Sequence, residues 1–417
     1  MQRLVNNARR QWLKAAGAAG LLGAAGCATT ETAGGDTPVF MDGHVHIANR
    51  IYWEKMDPWA PQTGAGWDYA RAKAAGINCV IDNIGTYGYW NYNYTPKQAL
   101  RLIETFLQYA EKNADKMGVA LSVADARRII ASGRMAVFLG CESGFDHEGD
   151  LDVLRSMYRL GMRTIQFATQ TGWNAFSDSA LAPVQGGQKP EHYKGINERG
   201  RALVREMNRL GVLIDITHGT EAVHLQLIEA SRAPVVASHD TFAAVTGAGL
   251  SEGVLKALAA KGGLVGIHGG AGVISRRYQQ WLQGNPERLK NATSVVLGMV
   301  GHVPSVGRAA GDHGEYIAKM DDEFRERWAA LGRWRELPDA PMPTGDEWTA
   351  QVDYVIRTVG ADHVAIGLDM VNGRTAYPND SSGYVDLMAA LKRVTTPANV
   401  RKIAGENWFR VLGQARA

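Results

Sequence analysis

His44 and His46 stand two residues apart in Phe40-Met41-Asp42-Gly43-His44-Val45-His46-Ile47. In an extended segment side chains alternate faces, so both imidazoles would point the same way and could share one metal ion. Other residues of ligand type follow later apolar runs: Glu142 after the third, His218 after the fifth, His239 after the sixth, His268 after the seventh and Asp369 after the eighth. Imidazole and carboxylate without thiolate suits Zn2+, with Mn2+ or Co2+ as further candidates. A carboxylate such as Glu142 can bridge two ions about 3.5–4 Å apart, and a metal lowers the pKa of bound water from about 15.7 to about 7. At about 1.36 kcal/mol per unit this is on the order of 12 kcal/mol. Metal chemistry, rather than a nucleophilic Ser or Cys, is therefore the expected source of reactivity.

The elements that would position these groups are eight short apolar runs: Val39–Met41, Ile77–Ile81, Met135–Cys141, Thr164–Ala168, Val212–Thr217, Val235–Ser238, Leu264–Ile267 and Val364–Leu368. They are near-continuously hydrophobic, as strands buried on both faces should be. Helical segments separate them. Thr95-Pro96 reads as a cap and first turn before Ala99–Tyr109, and Ser122-Val123-Ala124-Asp125 as a capping box. Arg201–Leu210 stops at Gly211, and Thr220–Ala230 and Ser251–Ala260 have the same character. Eightfold alternation predicts an α/β fold, a (β/α)8 TIM-like barrel, with the ligand residues gathered at the C-terminal ends of its strands. A doubly wound open sheet is the alternative, but no glycine-rich phosphate fingerprint follows the first run. Residues 271–345 carry no strand signal and read as a long insertion after strand seven, with short helices at Arg276–Trp281 and Met320–Leu331. A surface excursion, a dimer contact or a substrate lid would each fit there. Thr396–Leu412 reads as a closing helix with Trp408, Phe409 and Leu412 on its apolar side.

With 417 residues, 45% hydrophobic and 21% charged, the chain is long enough for one large domain and has an ordinary globular balance. A net charge of +3 and the lack of a basic run interleaved with aromatics argue against a nucleic-acid partner. Three cysteines cannot make a disulfide framework, and Cys79 and Cys141 lie inside apolar runs as small buried hydrophobes. Residues 1–27 read as an export signal rather than as fold, with residues 28–38 a polar tether and 39–417 the barrel. Arg9-Arg10-Gln11-Trp12-Leu13-Lys14 resembles a twin-arginine signal, and Ala24-Ala25-Gly26-Cys27 resembles a lipoprotein box that would anchor Cys27 to lipid. Both imply a periplasmic location.

From Arg205-Glu206-Met207-Asn208-Arg209-Leu210-Gly211-Val212-Leu213-Ile214-Asp215-Ile216-Thr217-His218 through Ala233–His239, the chain resembles the membrane (renal) dipeptidases, peptidase family M19, relatives of the amidohydrolases. The resemblance covers about residues 39–413. It implies a binuclear zinc peptidase on a (β/α)8 barrel, a homodimer, acting on small peptides. His44 and His46 would bind one ion, Glu142 would bridge, and His218 and His239 would bind the second. Asp369 would lie beside the metals and shuttle the proton to the leaving amine. Asn174 and Asp178 would belong to a loop shaping the substrate pocket.

Three departures from that family stand out. Where it has His-x-Asp, this chain has His44-Val45-His46, making the site more positive by about one charge. At the place of a loop histidine that holds the tetrahedral intermediate stands Gln170, and Thr246–Leu250 lacks the arginine that grips the substrate carboxylate. Each hydrogen bond to a charged group is worth about 1.5–3 kcal/mol, so losing two could lower the rate on the order of 10²–10⁴. His268 would either compensate in substrate binding or support Asp369. The leading expectation is a dipeptidase-like hydrolase in which a metal-activated hydroxide attacks a dipeptide or small amide. The export signal, the missing arginine and Gln170 together resemble the dipeptidase-like protein of pyoverdine siderophore maturation, which makes a periplasmic accessory role the second expectation. A lactonase or deaminase of the amidohydrolase type, suggested by His44-Val45-His46 alone, is the third.

Overall fold

The computed structural model describes residues 37–60, 62, 66–86, 94–142, 145–168, 174–180, 192–288, 325, 339–370 and 375–416. The export signal and nearly all of the tether therefore lie outside the described residues, as do Gln170 and, apart from Arg325, the Met320–Leu331 segment. Thr37–Ala417 forms one compact unit.

Among the described residues nine parallel strands build its sheet: β1 Met41–Val45, β2 Cys79–Gly85, β3 Met117–Val119, β4 Met135–Glu142, β5 Met162–Gln166, β6 Leu213–Asp215, β7 Val236–Asp240, β8 Leu264–Ile267 and β9 Val364–Ile366. Eight follow one another in the order β1-β2-β4-β5-β6-β7-β8-β9, while β3 pairs only with β4. A parallel bridge from Val45 to Met370 and a hydrogen bond from Asp369 N–H to the His44 carbonyl (3.2 Å) bring the last strand back to the first. The result is the nearly closed eight-stranded barrel that the alternation predicts, and the open-sheet alternative is set aside. The extra strand β3 was not foreseen: three residues with a central Gly118 are too short for an apolar run.

Every residue of β2, β4 and β5 is buried, which explains their lack of alternation. β1 begins where the first apolar run ends and carries His44 inside it. Met41, Ile81, Phe138, Leu213, Val236, Leu264 and Ala365 form one apolar cluster with Trp408, Phe409 and Leu412. The closing segment is thus packed as expected, but it is not one helix. Pro397–Arg401 and Asn407–Gln414 are separated by a wider-turned stretch, Lys402–Glu406.

The helix boundaries follow local chemistry. Ser122, Thr220 and Ser251 accept hydrogen bonds from the amides of Asp125, Val223 and Val254 at the starts of Val123–Ala131, Glu221–Ala230 and Glu252–Ala260. Gly211 ends Glu198–Leu210 at φ 74°, a conformation glycine adopts without strain. Thr95 does not cap as expected. The helix Tyr94–Lys112 already includes it, and its buried hydroxyl has no hydrogen-bond partner. Within the insertion, Ala271–Ile274 and Arg276–Gln283 are helical. Ser275 and Arg277 tie them to Glu347, in the first turn of Gly345–Val359.

Candidate metal centre

His44 and His46 project from the C-terminal end of β1. A register slip against β2 between Asp42 and Val45 locally re-aims this strand. The His46 Nδ1 lies 2.7 Å from the Asn83 carbonyl. A carbonyl only accepts, so Nδ1 carries hydrogen and Nε2 faces the barrel mouth. There His46 Nε2 is 3.1 Å from His44 Nε2, 2.8 Å from Glu142 Oε2 and 3.2 Å from Asp369 Oδ1. Glu142, the last residue of β4, turns its other oxygen toward the far side: Oε1 is 2.9 Å from His218 Nε2 and 3.7 Å from His239 Nε2. His218 and His239 approach each other at 3.2 Å through their Nε2 atoms.

His218 and Asp369 reach the cluster from loops just past β6 and β9, at φ 66° and 49°. Side-chain-bearing residues rarely adopt this left-handed conformation, and it holds on the order of 1–3 kcal/mol of strain each. Among the described residues only Lys55 and Lys194 share it outside glycine.

Charge is concentrated here and buried. Burial works against an ionised Glu142, yet His46 and hydrogen bonds from the surrounding imidazoles hold its carboxyl well below the usual range. Asp369 is held low in the same way, by His268 and His46 against burial. Burial also opposes a charged His46, but Glu142 and Asp369 push it up to about 10. His239 goes the other way: burial and the neighbouring His44 drive it well below the usual imidazole range, so it stays neutral with an available lone pair.

These residues fit a metal centre. His44, His46, Glu142 and Asp369 form one group, and Glu142, His218 and His239 another, each with ligand atoms within 4.8 Å of one another. Pairs of Nε2 atoms at 3.1–3.2 Å would bring lone pairs together unless a proton or a cation lay between them. Asp369 Oδ1 is buried 3.2 Å from His46 Nε2, and a cation between them would satisfy both lone pairs.

The remaining expected residues have other surroundings. His268 Nε2 lies 3.4 Å from Asp369 Oδ2, and its Nδ1 accepts the Gly270 N–H at 2.8 Å. Hydrogen therefore sits on Nε2, facing Asp369, although His239, His268 and Asp369 also bring ligand atoms within 4.8 Å of one another. Asn174 Oδ1 accepts the Phe176 and Ser177 amides. Asp178 accepts the amides of His192, Tyr193 and Gly195. Both organise the loops after β5 through backbone bonds. Cys79 and Cys141 are buried thiols pushed up by burial. Gly249-Leu250-Ser251-Glu252-Gly253 has the Gly-x-Ser-x-Gly spacing of a serine nucleophile, but Ser251 Oγ is used as a helix cap and donates to Glu221 at 2.6 Å.

The profile of the family described as membrane dipeptidase (peptidase family M19) matches residues 37–417. The chain belongs to this family. It is 29% identical over 322 residues to dipeptidase tcpJ of Claviceps purpurea, covering 76% of this chain and 59% of that one. It is 31% identical over 156 residues to dipeptidase 3 of Macaca fascicularis, 36% of this chain and 31% of the relative. The matches thus span less than two thirds of these relatives. The fold is shared with the probable dipeptidase PvdM of Pseudomonas aeruginosa (TM-score 0.73, 20% identity, 91% of this chain and 96% of that one). It is also shared with a Rhodobacter sphaeroides metallopeptidase solved with a phosphinate mimic of the dipeptide L-Ala-D-Ala (TM-score 0.65, 19% identity, 91% and 100%).

Three residues that the sequence reading passed over touch this cluster: the Asn83 carbonyl meets His46, and Ser238, bonded to Asp215, meets His44 and His239. Asp215 and Ser238 lie within three residues of His218 and His239, which was the available signal.

Proposed function

We propose that this M19 chain is a metal-dependent hydrolase that cleaves a dipeptide or a related small amide, using two divalent ions, zinc first among them. The observation that carries the reading is the division of Glu142: one oxygen faces His46 at 2.8 Å and the other His218 at 2.9 Å. A single buried carboxylate between two imidazole groups is suited to bridging two cations. Divalent ions held there would acidify water and polarise the amide carbonyl.

The chain's own groups supply the rest. Asp369 turns Oδ1 toward His46 and Oδ2 toward His268. It would take a proton from the attacking water and return it to the leaving nitrogen, with His268 Nε2–H steadying the carboxylate. The peptidase with the L-Ala-D-Ala mimic supports a dipeptide-sized substrate. The missing arginine supports a substrate whose carboxylate is gripped elsewhere or is absent: Ala243–Thr246 is a short helix followed by glycines 247 and 249 at positive φ. The test is release of amino acids from a panel of dipeptides and amides, including L-Ala-D-Ala, by purified protein loaded with zinc or manganese. No release from any member would sink the hydrolase reading.

The export signal, the missing arginine and Gln170 favour a second reading, an accessory role in maturation of a pyoverdine-type siderophore. Unaltered secreted siderophores in a deletion strain would remove it. The arginine pair at Arg9-Arg10 and the box ending at Cys27 support export to the periplasm and lipid anchoring, which cell fractionation checks. No helix among the described residues is long and apolar enough to cross a membrane. A homodimer is proposed on the resemblance alone and is checked by sedimentation.

A further inference from the structure

The chemistry above makes no use of Ser238, yet its hydroxyl lies between two ligand rings. Ser238 Oγ is 2.9 Å from His44 Nδ1 and 2.9 Å from His239 Nδ1. His44 belongs to one ligand group and His239 to the other. Consecutive strand residues normally point to opposite faces. The register slip of β7 against β8, between Ala237 and Asp240, relaxes that rule and lets Ser238 meet the ring of its own neighbour.

The directions of these bonds follow from what each partner can do. Asp215 Oδ2 makes a hydrogen bond with Ser238 Oγ. A carboxylate only accepts, so the single hydroxyl hydrogen goes to Asp215. Asp215 is itself held by the Ser238 and Thr217 amides at 3.0 Å and the Thr217 hydroxyl at 2.7 Å. The Ser238 oxygen is left with two lone pairs, and two imidazoles face them. Each ring therefore donates from Nδ1. Asn83 Nδ2 also approaches His44 Nδ1, at 3.1 Å, but its two hydrogens have the Gly43 and Ile81 carbonyls at 3.4 Å. An imidazole with hydrogen on Nδ1 offers its lone pair at Nε2, and both Nε2 atoms face Glu142, at 3.3 Å from His44 and 3.7 Å from His239. His44, Asp215 and His239 also group closely enough to suggest a third cation site, but Ser238 Oγ, bonded to all three, occupies it.

We propose that Ser238 is a positioning residue that sets the tautomer of one ligand histidine in each group, so that a single hydroxyl prepares both ion sites together. This rests on the metal-centre reading. Partners that orient ligand imidazoles typically change metal affinity 10–100-fold when removed.

The test has two arms. Ion stoichiometry and affinity are measured by competitive zinc titration of wild type and Ser238→Ala, with folding followed separately as melting of the metal-free proteins. We expect both ions to bind about 10–100-fold more weakly in the variant. Unchanged affinity, or a loss confined to one ion, overturns the shared role. The second arm needs no variant: ring-nitrogen NMR of zinc-loaded wild type should show hydrogen on Nδ1 of both His44 and His239, and its absence from either overturns the inference even if Ser238→Ala does not fold. A wild type that binds no ion would instead overturn the metal-centre reading beneath it.

Discussion

Glu142 and His218 meet across the barrel mouth at 2.9 Å, Oε1 to Nε2, although 76 residues separate them in the chain. Because the other Glu142 oxygen faces His44 and His46, this carboxylate belongs to both ligand groups. Removing it should affect both ions. In Glu142→Ala we expect bound metal, about two ions per chain in wild type by the bridging geometry, to fall to one or none, and hydrolysis to fall to background. Elemental analysis of gel-filtered protein beside a dipeptide assay checks this. Full metal retention in the variant would argue against a bridge.

Asp369 should separate chemistry from metal retention. It sits at φ 49°, a conformation that Asn tolerates better than most side chains. Asp369→Asn therefore spares the backbone while removing the proposed proton acceptor. We expect turnover to fall by about 10²–10⁴ while most of the bound metal remains. His268→Ala, which removes only the partner of Oδ2, should lose less, about tenfold, with unchanged ion content. Steady-state kinetics with metal analysis on the same samples distinguishes these outcomes; equal loss of metal and activity in Asp369→Asn would make it chiefly a ligand.

The barrel could be read from the chain because its strands are buried on both faces. Met135–Cys141 and Ile77–Ile81 had to be continuous apolar runs, and each marks a strand of the barrel. The positions of His44, His46, Glu142, His218, His239 and Asp369 after such runs were visible for the same reason. What could not be read depends on the third dimension. Nothing in Ser238 or Asp215 as residue types distinguishes them from ordinary buried polar groups. Their role comes from a register slip in β7 and from contacts across strands. The tautomer of His268 is likewise set by the Gly270 amide, a backbone group that leaves no trace in composition. Thr95 shows the reverse error: Thr-Pro is a good local cap signal, but here the helix Tyr94–Lys112 already includes Thr95.

Acid should weaken the fold through Glu206. This carboxylate on the helix Glu198–Leu210 accepts from Arg209 at 2.7 Å and Arg155 at 2.6 Å, and these bonds, against a smaller effect of burial, lower it from 4.5 to about 2. A carboxyl depressed in the folded state adds stability that is fully present above its unfolded value, near 4.5, and is lost as pH falls toward 2. Arg209 is 61% exposed, so solvent screens the pair and its worth is about 1 kcal/mol. Denaturant unfolding of chelator-treated wild type and Glu206→Gln should differ by about that amount at neutral pH, and the difference should shrink as pH drops below about 4. A gap that stays constant down to the lowest pH would show that the charge is not the source.

Gly43 links the fold directly to the site. A Cβ added there would lie 2.0 Å from Trp408 Cζ2 and 2.2 Å from Cε2. Trp408 cannot readily withdraw, because it is fully buried and its Nε1–H donates to the Ile366 carbonyl at 2.9 Å. Gly43→Ala must therefore displace β1 or the closing helix, an overpacking that typically costs about 1–3 kcal/mol. Gly43 lies within the register slip that aims His44, so a displaced β1 should also misplace the His44–His46 pair. We expect a lower melting temperature together with weaker zinc binding. Adding Trp408→Phe, which shortens the opposing ring, should recover part of both. If stability falls while zinc affinity stays at the wild-type level, the closing helix has yielded instead of β1, and the link between this packing contact and the ligand pair is refuted.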